Sequence, residues 1–183
     1  MKGSERQLER RRALNSRSRG QTLTEFALVS PVLLLILFGI LEASLLLFGV
    51  GTARFAAGEG ARQESESGNA ATADTLSIGV IRATALGTTN ITQVQSIDVY
   101  RLTQAGNGVL TQDMANTNRY RLDGSPIGAT PWPPSARNVT NGANDFLGIT
   151  VHYRYNWKTG IFIFAGPLDL QQSFYIRLEP QTY

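Results

Sequence analysis

The chain of 183 residues contains no cysteine. That excludes disulfides, thiol nucleophiles, cysteine metal sites and a lipid-modified cysteine at the end of a signal sequence. It is compatible with either side of a membrane, so the compartment has to come from topology. Histidine occurs once, at His152. A histidine-cluster metal site is thereby ruled out, and any Ser-His-Asp arrangement would rest on that one side chain. His152 falls on the polar side of an alternating segment, which suits a solvated or hydrogen-bonded histidine better than a catalyst. Phosphate loops are missing as well. Gly49-Val50-Gly51, Gly58-Glu59-Gly60 and Gly106-Asn107-Gly108 are GxG fragments, none of which follows a strand and opens a helix with the full pattern. No enzymatic activity, cofactor or metal is expected.

Charge is present but unevenly spread. Up to Gly20 there are seven basic residues (Lys2, Arg6, Arg10, Arg11, Arg12, Arg17, Arg19) against two acidic ones (Glu5, Glu9), a balance of +5. After Gly20, ten basic residues face twelve acidic ones, a balance of −2. The basic character therefore belongs to a leader, and no nucleic-acid partner is expected. Residues 1–20 are too polar to bury a core and are expected to lack structure on their own. Arginines ahead of an apolar segment hold that end in the cytoplasm, so the chain beyond the segment lies across the membrane.

That apolar segment runs from Phe26 to Val50, with no charge until Glu42. Rich in leucine, it predicts a helix of about 37 Å, enough to span a hydrocarbon core of roughly 30 Å with some tilt. Pro31 removes one backbone donor, which membrane helices tolerate. The run is too long for a secretory signal peptide and continues into a small-residue helix. Glu42 lies about 24 Å beyond Phe26. It either reaches water near the outer interface or faces a neighbouring subunit. Gly39 and Ala43, then Ala53, Ala57 and Ala61, repeat a small-xxx-small spacing that lets helices approach closely, and this suggests a stripe for packing against other helices.

Beyond the span the helix is expected to continue to Ser65–Gly68, giving an N-terminal helix over residues 21–65. Apolar residues at helical spacing predict a second helix over Asp74–Leu86, with Gly87 as its stop. The period then changes to two. Val94–Leu102, Ile149–Tyr155 and Phe174–Leu178 read as strands, with Val109–Gln112 and Arg119–Leu122 as shorter candidates and Asn107-Gly108 as a hairpin turn. The fold class expected is α+β: a long N-terminal transmembrane helix extends into an exported domain, residues 66–183, in which a second helix packs on an antiparallel β-sheet. Pro131-Trp132-Pro133-Pro134 is expected to be a loop whose tryptophan covers the core rather than contacting a partner.

Gly20, the run Glu25-Phe26-Ala27-Leu28-Val29, Pro31, Phe38-Gly39-Ile40 with Glu42, and Glu59-Gly60-Ala61-Arg62 together give the chain its resemblance to a known group. It resembles the class III signal of type IV pilins and, more narrowly, the TadE-like family of the tight-adherence (Flp-type) pilus. The likeness covers about residues 20–62, with a weaker echo at Val151–Tyr155 and Arg177–Pro180. The resemblance implies that a membrane-embedded prepilin peptidase cuts between Gly20 and Gln21. It also implies a minor pilin or pseudopilin that meets other pilins and the assembly platform in the bacterial cytoplasmic membrane and acts in pilus biogenesis and adhesion. Cleavage would leave an ammonium on Gln21, one helical turn from Glu25 and able to pair with it in a low-dielectric setting, an assembly role. On the residues alone, Gly20 is also readable as a flexible joint and Glu25 as an acid favoured at a helix start. The leader is long for the type, and Ala43 stands where many relatives carry an aromatic. An uncleaved, single-pass anchored binding domain is the alternative, and an anchored enzyme a more distant one.

Overall fold

Leucine, alanine and the other strong helix formers of the first third build α1, Lys2–Ser67, in the computed structural model. Residues 2–140, 142–160 and 166–180 are described, with side chains from Gln21 onward. The helix starts earlier than expected. Residues 2–20 were expected to lack structure, yet their backbone is helical. Arginine, glutamate, leucine and alanine favour the helix, and extending one that already exists avoids the cost of nucleation. The leader's side chains, and with them its charge, lie outside the described residues. Pro31 sits inside α1. At the far end Gly68 takes φ +57°, and its N–H donates to the Glu64 carbonyl at 2.9 Å. This left-handed cap ends the helix.

Two compact units divide the chain between Ala43 and Ser44. The first consists of the N-terminal part of α1, with Leu28, Val32, Leu35 and Ile40 all exposed. Among the described residues one helical stretch, Gln21–Ser67, is long and apolar enough to cross a membrane.

The second unit holds the remainder of α1, α2 (Ala73–Ala83), α3 (Ala85–Thr88) and the strands β1 (Thr92–Gln104), β2 (Leu110–Tyr120), β3 (Phe146–Tyr155) and β4 (Leu168–Arg177). The predicted second helix is thus two. Thr84 turns extended, with φ −73° and ψ 169°, and breaks it. Gly87 is not the stop but lies within α3, where a Cβ would collide with the Arg82 carbonyl.

All pairings in the sheet are antiparallel, in the order β2-β1-β3-β4. Gly108, at φ +82°, completes the β1–β2 hairpin expected at Asn107-Gly108. The two short strands predicted after it are one strand with a bulge. Tyr100 pairs with Thr117 and Leu102 with Gln112, so Asp113 to Asn116 face a single residue of β1. Asp113 closes this bulge by accepting from the Ala115 N–H at 3.1 Å and the Asn116 side chain at 2.7 Å. A second irregularity between Val94 and Ser96 shifts the phase of β1, which brings Val94 to the core together with Ile97 and Val99. Beside it, the Tyr100 ring lies over Gly148, its direct partner in β3, where a Cβ would meet Cζ at 2.6 Å.

The core lies between this sheet and α1, α2 and the β2–β3 connection. Ala53, Ala56, Ala57 and Ala61 of α1 meet Ile78 and Ile81 of α2, Ile97 and Val99 of β1, and Leu147, Ile149 and Val151 of β3. Trp132 joins them, 3 % exposed, so the tryptophan does cover the core.

Candidate functional site

The segment that carries the residues expected to serve processing and assembly lies in the first unit. α1 runs through Gly20 and Gln21 without a break. The Gln21 Nε2 donates to Glu25 Oε1 at 3.0 Å, and both residues are exposed. The structure therefore brings Gln21 and Glu25 together on one face, one turn apart. Leu23 and Phe26 beside them are also exposed.

The small-residue stripe divides into two parts. Gly39 has nothing within 4 Å of where a Cβ would stand, and Ala43 is exposed. Ala53, Ala57 and Ala61 are 0 % exposed inside the chain's own core. The reading of these three as a surface for other helices is corrected: their small side chains let α1 settle onto the sheet of its own domain. Glu42 is 1 % exposed and takes part in a hydrogen-bonding or electrostatic interaction.

A polar centre closes the far end of the domain. Glu64 near the C-terminus of α1, Asp74 in the first turn of α2, and Arg137 from the β2–β3 connection meet in the interior. Arg137 Nη1 donates to Glu64 Oε2 at 2.6 Å, and Nη2 donates to Asp74 Oδ1. Both Arg137 and Glu64 side chains are 0 % exposed. Asp74 Oδ2 accepts in addition from the Tyr120 hydroxyl and from Asn118 Nδ2, the latter at 3.2 Å. Asn118 in turn clamps Trp132, donating to its carbonyl at 2.6 Å and accepting its N–H at 2.9 Å. The guanidinium of Arg137 lies 4.7 Å from the centroid of the Trp132 ring, a cation–π contact.

One cation faces two buried carboxylates here, and it can balance only one of them. Asp74, with three donors, is the better-supplied anion. Glu64 Oε1 has no partner, and burial, opposed by Arg137 and reinforced by Asp74, raises its carboxyl to about 8. Burial likewise pushes the Tyr120 phenol upward, with the Asp74 contact adding to it. Glu64 is thus held protonated near neutral pH, and the centre binds α1, α2, β2 and the long connection into one body.

The opposite face of the sheet carries a second network. Asp98 accepts two bonds from Arg119, each 2.7 Å, and faces His152 Nε2 at 3.2 Å. Burial raises its carboxyl, but the Arg119 and His152 bonds outweigh that and hold it below the ordinary range. The expected hydrogen-bonded His152 is found there. Tyr100, Thr150 and Ser173 continue the face as a chain of hydroxyls at 2.9 and 2.7 Å. A shallow cavity of ≈ 250 Å³ lies over these residues and Tyr175. Among the described residues no group of three or more His, Asp or Glu is arranged to hold a metal ion.

Sequence reasoning missed the Glu64–Arg137–Asp74 centre. Part of it was within reach: Glu64 continues the spacing of Ala53, Ala57 and Ala61, which puts a carboxylate on the buried face of α1. Arg137 had no such signal, because it sits in an aperiodic stretch rich in Gly, Asn and Pro.

Residues 20–62 match the family model described as TadE-like protein. The matched segment opens on Gly20 and ends at Arg62, short of Glu64 and of the whole sheet. No curated protein matches the chain, and no solved structure does.

Proposed function

We propose that this chain is a minor pilin, or pseudopilin, of a tight-adherence type IV-like pilus. In this reading it enters the cytoplasmic membrane with its basic leader inside. Prepilin peptidase cuts it between Gly20 and Gln21, and its N-terminal helix then joins other pilins through the assembly platform, in pilus biogenesis and adhesion. The observation that carries the reading is the TadE-like match over residues 20–62, which supports a pilus-associated protein. The paired Gln21 and Glu25 side chains support the assembly role. A carboxylate already turned toward residue 21 is placed to meet the ammonium that cleavage would create there, offsetting the desolvation of both. Glycine at the preceding position leaves a protease groove unobstructed.

The unbroken helix through Gly20 favours a second reading, an uncleaved single-pass anchor with an extracytoplasmic binding domain. Deleting the gene in a piliated strain and probing sheared filaments for the tagged protein separates the two. Loss of pili, restored by the tagged chain, supports the pilus role. Normal piliation and adhesion in the deletion strain contradict it.

A further inference from the structure

Within the second unit the strands lie along α1, and one end of the sheet meets the helix at the last residues of the apolar span. A Cβ on Gly49 would stand 2.9 Å from Thr92 Cγ2 and 3.8 Å from Tyr155 Cδ2. Thr92 opens β1 and pairs with Tyr155 at the end of β3, which pairs in turn with Leu168 at the start of β4. Gly49 is the penultimate residue of the apolar span. Further along α1, Gly58 faces Phe174, and the Ser65 hydroxyl donates to the Arg177 carbonyl at 2.9 Å. From Gly49 to Ser65 the helix climbs about 24 Å, so the opposite end of the sheet meets α1 about that far beyond the end of the span.

The membrane-side end has its own composition. Trp157 follows Tyr155 with its ring edge-on at 5.7 Å, and its indole N–H donates to the Gly166 carbonyl at 2.5 Å, which closes the neck of the β3–β4 connection. The exposed Lys158 donates to the Asn90 carbonyl at 2.7 Å, tying the α3–β1 turn to the same end. On α1 at this level Phe48 is half-exposed, and Arg54 and Phe55 point outward one to two turns beyond Gly49. Tryptophan, tyrosine and cationic side chains whose apolar parts enter the boundary are what the polar–apolar interface of a bilayer favours.

We infer that Trp157, Lys158 and Arg54 form a second membrane contact, on which the domain rests against anionic phospholipid headgroups on the side opposite the leader. The contact is continuous with the span, and its two cations complement anionic lipid. It rests on the reading of Phe26–Val50 as membrane-spanning. Before assembly it would fix the tilt of the domain over the membrane, and leaving the membrane would expose it.

The test uses the full chain in anionic nanodiscs whose lipids are brominated near the headgroup end of the acyl chain. Trp132, buried in the core, is out of reach of the quencher, so Trp157 supplies the signal. Quenching that Trp157→Phe largely removes supports the contact, as does weaker quenching after Lys158→Glu with Arg54→Glu in anionic but not zwitterionic discs. A Leu34→Trp reporter in the Trp157→Phe background reads the span itself through deeply brominated lipid. Quenching of that reporter with none of Trp157 overturns the contact and leaves the span standing. No quenching of either overturns both.

Discussion

Removing the cation from the buried centre should cost the domain more than any other single change at that end. Arg137→Met keeps most of the side-chain volume and takes away the charge. Two charge-assisted hydrogen bonds go, each worth about 1.5–3 kcal/mol. The contact over the Trp132 ring goes too, for up to about 2 kcal/mol when desolvated. Asp74 keeps its bonds from Tyr120 and Asn118, which limits the loss. The expected destabilisation is about 4 kcal/mol, within the range of roughly 3–5 kcal/mol for stripping one partner from a buried pair. In a domain of this size that lowers the midpoint by roughly 12–15 °C. Urea and thermal unfolding of the full chain in detergent, followed by Trp132 fluorescence in a Trp157→Phe background, would read it directly. Glu64→Gln is the control. If Glu64 is already protonated, a neutral amide should cost less than about 1.5 kcal/mol at neutral pH. A loss below about 1 kcal/mol for Arg137→Met, or an equal loss for the two variants, would refute the reasoning.

Four further outcomes follow from the same structure. The folded-state pKa of Glu64, about 8, lies above the ordinary 4.5, so its protonated form is favoured by folding. Its contribution is therefore fully present below pH 4.5 and disappears as pH rises through about 8, by a few kcal/mol in order of magnitude; the slope should vanish in Glu64→Gln, and a wild type equally stable across that window would contradict it. Gly148→Ala must push the Tyr100 ring aside and break its 2.9 Å bond to Thr150, so denaturant melts should show a loss of about 1–3 kcal/mol from overpacking. Gly39→Ala, with open space around it, should leave the midpoint of the domain unchanged. Glu25→Ala should leave cleavage largely intact while blocking incorporation into filaments, and mutant protein at wild-type level in sheared pili would count against the pairing role.

The features that repeat along the chain were readable from it. The apolar run announced the long helix, and the two-residue period in Ile149–Tyr155 and Phe174–Leu178 announced two strands of the sheet. Where a local interaction interrupts the period, reading became harder. The Asp113–Asn116 bulge made one strand resemble two, and Thr84 split one helix pattern into α2 and α3. The alanines at 53, 57 and 61 show a different limit. Their spacing reveals a close-packing face, but a small residue does not say whether its neighbour belongs to the same chain or another. Arg137 shows the hardest case, since its partners lie 73 and 63 residues away and no local pattern ties it to them.

The proposal as a whole turns on one peptide bond. Intact-mass analysis of the protein purified from cells with active prepilin peptidase would show whether the Gly20–Gln21 bond survives. The account predicts a mature chain that begins at Gln21, and a precursor that accumulates when the peptidase is inactivated. A chain that still begins at Met1 while the peptidase is active would contradict it.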